Sequence, residues 1–144
     1  MNIEKLRETV KIDVQINQED LHTESLKTPQ LHNKYLILLE DSKLELEKLY
    51  FCEKELKRNK WLYYTGKMGE DDLKRFEWEP FEYSILKTDI PMFLDSDRDL
   101  QRMQAKISLQ KSIVDYLEEV IKIINSRQWN IKSAIEWIKF TQGI

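Results

Sequence analysis

The residues of this chain best suited to binding chemistry lie in one short stretch, "KRNKWLYYTGK", residues 57–67. It sets four basic side chains, three aromatic rings and a glycine within eleven positions. Lysine and arginine neutralise phosphates and release counterions, and an exposed aromatic face stacks an unpaired base for about 1–3 kcal/mol. Together these are the means of holding single-stranded nucleic acid. On a helix turning about 100° per residue, Lys54, Lys57, Arg58, Trp61 and Tyr64 fall within about 80° on one side. Leu49, Cys52, Leu56 and Tyr63 gather on the other, which is expected to be buried. Lys67 extends the charge beyond the helix end, joined by Lys74 and Arg75 if the turn folds back. Lys60 is the exception, because it lies about 200° from Arg58 on an ideal helix. Both reach one strand only if the helix ends early, or if they serve different passes of the strand across an oligomer. The plainer reading of the same residues is a solvated helix end whose cations suit the negative C-terminal dipole.

Other chemistries find no footing. Gly66-Lys67 is followed by Met68 rather than Ser or Thr, so no phosphate-cradling loop is spelled out. "DSDRD", Asp95 to Asp99, lacks the glycine and the distal glutamate of a calcium loop, and helix capping explains it better. His22 and His32 stand with one distant cysteine, Cys52, so no zinc site is expected. No nucleophile, base and orienting group can be assembled. The expectation is a protein that is not an enzyme, with no cofactor and no metal.

The elements that must position this stretch follow from composition and pattern. With 144 residues, one domain is expected. Hydrophobic residues make up 41% and charged residues 34%, with only 3 Gly and 3 Pro, which points to an all-α chain of long helices. A thin core of this kind favours burial against another subunit. The net charge of -3 supplies no global field for nucleic acid, so anion binding has to come from a local patch. The single cysteine, the absence of a signal-peptide pattern and the absence of a long apolar run point to a cytoplasmic protein without a membrane span.

Along the chain, Ile3, Leu6 and Val10 mark a short helix. "KIDVQI", residues 11–16, alternates and reads as extended. Thr28-Pro29 signals a helix start, and the helix runs to about Tyr64. Leu39, Leu46, Leu49, Leu56 and Tyr63 form a partial heptad seam whose remaining positions, Ser42, Glu53 and Lys60, are polar. Gly66 is the stop. Residues 73–94 are aromatic and irregular, interrupted by Pro80 and Pro91; Phe76, Trp78 and Phe81 can pack across the long helices, or a β-hairpin can form. Ser96 or Asp97 then caps a helix to about Asn125. Leu100, Met103, Ile107, Gln110, Val114, Leu117, Ile121 and Ile124 recur in steps of three and four, and a second stripe (Leu109, Ile113, Tyr116, Val120, Ile123) runs beside them. Two stripes suit burial on two sides, as in a self-association helix or the central helix of a monomeric bundle. We read the first. After a break at "NSRQWN", Asn130 caps a last helix carrying Ile131, Ala134, Ile135 and Ile138.

Three segments together resemble one family. They are Arg58-Asn59-Lys60 before "YYTG", "IINSRQWNIKSAIEW" from Ile123 to Trp137, and the opening "IEKLRETVKIDVQI" from Ile3 to Ile16. In order and length the chain is similar to the UvsY-like recombination mediators of T-even-like bacteriophages; the segment Arg75 to Ser84 departs from the pattern. The resemblance implies a mediator that binds single-stranded DNA and helps a phage strand-exchange recombinase (UvsX-like) replace the phage single-stranded DNA-binding protein, then stabilises the filament. It implies a homo-oligomeric ring, hexameric or heptameric, closed by the C-terminal helices. It carries the family's basic–x–basic DNA contact onto Arg58 and Lys60. The chain then divides into a DNA-binding part over about 1–94 and an oligomerisation part over about 95–144, in which Leu100, Met103, Ile107, Val114, Leu117, Ile121 and Ile124 are the self-association stripe. In a ring, repeated modest patches bind tightly through effective concentration. The rival reading is a helical scaffold or adaptor whose basic face meets an acidic protein.

Overall fold

The structure is a computed structural model that describes residues 1–143. Among them are five α-helices, one 3-10 turn at Lys87–Asp89 and no strand. The helices are α1 (Ile3–Asp13), α2 (Leu21–Tyr64), α3 (Glu70–Phe76), α4 (Ile90–Ser96) and α5 (Arg98–Gln142). The all-α expectation holds, with α2 and α5 the two long helices.

Local chemistry sets most of the helix ends. Asn2 caps α1, its Oδ1 accepting from the amides of Glu4 at 2.9 Å and Lys5 at 3.4 Å. Asp97 caps α5, accepting from the Leu100 amide at 2.9 Å. At the end of α2, Gly66 takes φ +72°, the Lys67 amide reaches back to the Leu62 carbonyl at 2.9 Å and the Gly66 amide to Tyr63 at 3.2 Å. This is a Schellman closure around a left-handed glycine. The same closure ends α3, but with Glu77 in the left-handed position at φ 57°.

Four sequence expectations are corrected. Residues 11–13 continue α1 instead of forming an extended segment, because Leu6 and Val10 bury one helical face and a lone short strand has no partner. Residues 73–94 form no hairpin: the stretch ends α3, passes through the 3-10 turn and enters α4. The start of α2 is Leu21, not Thr28-Pro29. Asp20 begins it, its carbonyl accepting from the Glu24 amide at 3.1 Å and its Oδ1 from Thr23 at 3.4 Å. Pro29 therefore lies inside the helix. Finally, α5 runs without a break through "NSRQWN". No Gly or Pro interrupts that stretch, and tertiary contacts of Arg127 and Gln128 outweigh its weak helix propensity.

The chain forms two compact units, Met1–Leu44 with Lys111–Ile144, and Glu45–Gln110. Each takes a portion of both long helices. In the first unit, Tyr35, Leu117 and Val120 are completely buried. Asp13 ties α1 to α2, accepting from the Tyr35 hydroxyl at 2.7 Å and the Lys34 ammonium at 2.6 Å. There α2 and α5 run antiparallel, with Ser25 meeting Gln128 and Lys43 meeting Glu118.

The expected self-association stripe is largely used within the chain. Leu100, Ile107, Val114, Leu117 and Ile124 are buried, and Met103 and Ile121 are half-buried. The exposed apolar side chains of α5 in the first unit lie elsewhere, at Ile123, Trp129, Trp137, Ile138 and Phe140.

Candidate nucleic-acid interface

The site is built on the last turns of α2, within the second unit. Leu56 and Tyr63 turn partly inward and hold this part of the helix, whereas Cys52, expected on the same side, is exposed. Lys54, Lys57, Arg58 and Trp61 are exposed along the outer side, as helical spacing requires. Lys57 pairs loosely with Glu53 at 3.6 Å, while Arg58 has no ion-pair partner among the described residues. Lys67, just past the Gly66 turn, brings its ammonium to 4.7 Å from the Trp61 ring centroid. An indole face with a cation beside it can stack a base and hold its phosphate at once.

Lys60 and Tyr64 are placed differently. Lys60 is 5% exposed and its Nζ lies 2.8 Å from Asp99 Oδ2 and 3.1 Å from Asp97 Oδ2. The Trp78 ring covers it, with its centroid 3.9 Å away. Tyr64 donates its hydroxyl to Asp97 Oδ2 at 2.6 Å, and its ring packs on Phe81 and Phe93. Lys60 presents no free surface to a strand, and Tyr64 is half-buried with its hydroxyl engaged. The reason lies in the seam: Lys60 is one of its three polar positions, seven residues after Glu53. A heptad position faces inward whatever its charge, provided a partner meets it.

That partner is the start of α5. Asp97 is 6% exposed and holds α5's cap with one oxygen, while the other receives Tyr64 and Lys60. Burial pushes the Asp97 carboxyl up. The hydrogen bonds from Tyr64 and the Leu100 amide, together with the Lys60 ammonium, overcome that and hold it below the usual carboxylate range. For the Tyr64 phenol, burial and then the Asp97 contact both push its pKa upward. The aromatic segment completes the enclosure. Tyr63 meets Trp78 and Phe81 with ring centroids 5.4 and 5.6 Å apart, and donates its hydroxyl to the Glu79 carbonyl at 2.6 Å. Phe76 stacks on Trp78 at 4.7 Å. Residues 76–81 thus roof the end of α2, as the packing alternative for Trp78 and Phe81 expected.

Sequence reasoning missed the carboxylate half of this arrangement. Asp97 and Asp99 were legible only as helix-start residues, and the pairing of Lys60 with Asp99 spans 39 positions. A polar residue on an apolar seam was the one available signal. No cluster of His, Cys, Asp or Glu able to hold a metal ion occurs among the described residues, and no helix among them is long and apolar enough to cross a membrane.

Comparison with known proteins agrees with this arrangement of helices. Residues 9–144 match the family described as "Recombination, repair and ssDNA binding protein UvsY". The recombination protein uvsY of Enterobacteria phage T4 is 25% identical over 143 residues, covering 99% of each chain. Crystal structures of the bacteriophage T4 recombination mediator protein UvsY share the fold. Lattice type IV aligns with a TM-score of 0.84 at 22% identity, over 97% of this chain and 99% of that one. Lattice type II gives the same TM-score and identity over 99% and 98%. The match along nearly the whole chain, in sequence and in fold, settles the family: this chain belongs to the UvsY family of recombination, repair and single-stranded-DNA-binding proteins.

Proposed function

We propose that this UvsY-family chain is a non-catalytic recombination mediator that holds single-stranded DNA on the outer face of α2. It acts in the host cytoplasm, helping a phage strand-exchange recombinase replace the single-stranded DNA-binding protein and stabilising the resulting filament. Arg58 is the central phosphate contact, supported by Lys54, Lys57 and Lys67, and Trp61 is the stacking ring. Lys60 and Tyr64 act through folding, by fixing the end of α2 to the start of α5. The observation that carries this reading is the exposure of Arg58 without an ion-pair partner among the described residues, beside an indole that keeps a cation at its face.

We further propose that the protein self-associates into a ring through two unlike apolar rows of the first unit. Trp129, Trp137 and Phe140 stand exposed on α5, and Leu26, Ile37 and Leu44 stand exposed and nearly in line on α2. Two different rows make a head-to-tail interface, the kind that closes into rings. Charged substitutions at Trp137 and Ile37 should each leave smaller species in light scattering; an undiminished mass would remove these rows from the interface.

The DNA face is tested by oligonucleotide binding over a range of salt. For single strands, log affinity falls against log salt with a slope of about 0.7 per phosphate contact. Arg58→Ala should weaken binding and reduce the slope by about 0.7. Unchanged affinity in an Arg58→Ala/Lys57→Ala double variant would overturn the site. The adaptor reading predicts no preference for single-stranded DNA over another polyanion such as heparin, which competition measures directly.

A further inference from the structure

Phe51 is left 56% exposed on α2, in the unit that carries the DNA face. A lone exposed phenylalanine needs no explanation, since apolar atoms form much of any protein surface. The surroundings of this one set it apart. On a helix turning about 100° per residue, Phe51, Lys54, Arg58 and Trp61 fall within about 80°, in steps of three, four and three. All four are exposed. The Phe51 ring also has a cation beside it, with the Lys54 ammonium 5.9 Å from its centroid. The same pairing recurs at the other end of the row, where Lys67 lies 4.7 Å from the centroid of Trp61. One aromatic–cation pair thus stands on each side of Arg58. Glu47, exposed one turn before Phe51 in the same sector, ends the cationic row there.

The occupant follows from this mixture of ring and charge. An apolar protein surface laid on Phe51 would also desolvate Lys54 and Arg58, a costly step without acids to meet them. A nucleotide answers both needs, with a base for the ring and a phosphate for the cation. Ten residues at about 1.5 Å each set Phe51 and Trp61 about 15 Å apart along the helix. That is several times the spacing of about 3.4 Å between stacked nucleotides, so the two rings cannot serve neighbouring bases of one stack.

Resting on the reading of α2 as the DNA face, we propose that Phe51 is a second base-stacking platform. With Trp61 it holds two non-adjacent bases of one single strand, while the phosphates between them meet Lys54, Lys57 and Arg58. The chain then grips a strand by its bases at two points and by its backbone in between.

The test compares two probes of equal length, an oligothymidylate and an all-abasic single strand, which carries phosphates but no bases. Phe51→Ala should weaken oligothymidylate binding about fivefold or more. It should leave the salt slope, the affinity for the abasic strand, the melting midpoint and the mass in light scattering unchanged. Phe51→Leu, apolar but without a ring face, should behave like Phe51→Ala, and Phe51→Trp should bind at least as tightly as the parent. Unchanged oligothymidylate affinity in Phe51→Ala would overturn the proposal. So would an equal loss on both probes, or a smaller mass, because either would show that Phe51 acts through folding or self-association. Arg58→Ala, measured beside it, separates the two readings. If that variant weakens binding and Phe51→Ala does not, only the second platform falls; if neither does, the DNA face itself falls.

Discussion

Gln128 of α5 donates its carboxamide, at 3.3 Å, to the carbonyl of Ser25, the group that Pro29 leaves without a helical amide. A proline inside a helix removes one hydrogen bond and crowds the carbonyl four residues before it. Here the neighbouring helix supplies the missing donor, and Arg127 adds a bond to the Glu24 carbonyl beside it. Gln128→Ala should therefore cost about 1 kcal/mol in chemical denaturation. In a Pro29→Ala background, where the amide is restored, the same change should cost almost nothing. A double-mutant cycle measures the difference, and full additivity would dissociate Gln128 from the proline.

Lys60 and Arg58 should separate cleanly by what their loss affects. Lys60→Ala leaves Asp97 buried without its cation and should destabilise the protein by about 3–5 kcal/mol. Arg58→Ala should leave the melting temperature within a degree or so and weaken oligonucleotide binding alone. Thermal melts run beside the binding assay decide this, and an unshifted melt for Lys60→Ala would contradict the buried ion pair.

Acid should unfold the protein through a small set of carboxylates. Asp97 and Asp13 are each pushed up by burial, yet their hydrogen bonds and cations hold them below the ordinary carboxylate pKa. Glu24 is lowered first by its hydrogen bond to Lys27. Because the folded pKa is depressed, their contribution is complete above the ordinary values of the unfolded chain, 3.8 for aspartate and 4.5 for glutamate. It is lost as pH falls through the lower folded values. Stability should thus be flat near neutrality and fall steeply below about pH 4. Asp97→Asn should be less stable at pH 7 and show a shallower acid limb in denaturation series against pH.

Glu77 sits at φ 57° because the end of α3 needs a left-handed residue there. A side chain pays roughly 1 kcal/mol for that conformation, and glycine does not. Glu77→Gly should raise stability by about that amount, read as an upward shift of the melting midpoint, with DNA affinity unchanged.

Much of this was legible from spacing alone. The end of α2 near Tyr64, the cap at Asp97, the stop at Gly66 and the outward set Lys54, Lys57, Arg58 and Trp61 all follow from helical period and end chemistry. Where the reading failed, a contact distant in sequence had outweighed a local signal. Thr28-Pro29 reads as a helix start only while Gln128 and Arg127 are unseen. "NSRQWN" reads as a break for the same reason, since the residues that weaken the helix locally are those that bond α2. The seam itself was correct to place Lys60 inside, and its charge concealed that. Arg127 lies in the same relation to its neighbours, three residues after the buried Ile124 and four before the buried Ile131.

The pairing of Lys60 with Asp97 also bears on how such chains diverge. Selection for folding alone would retain a cation at position 60 for as long as an aspartate caps α5, and either residue could change only together with the other. A basic residue preserved beside an exposed arginine would then record two separate pressures in adjacent letters, one from the ligand and one from the interior.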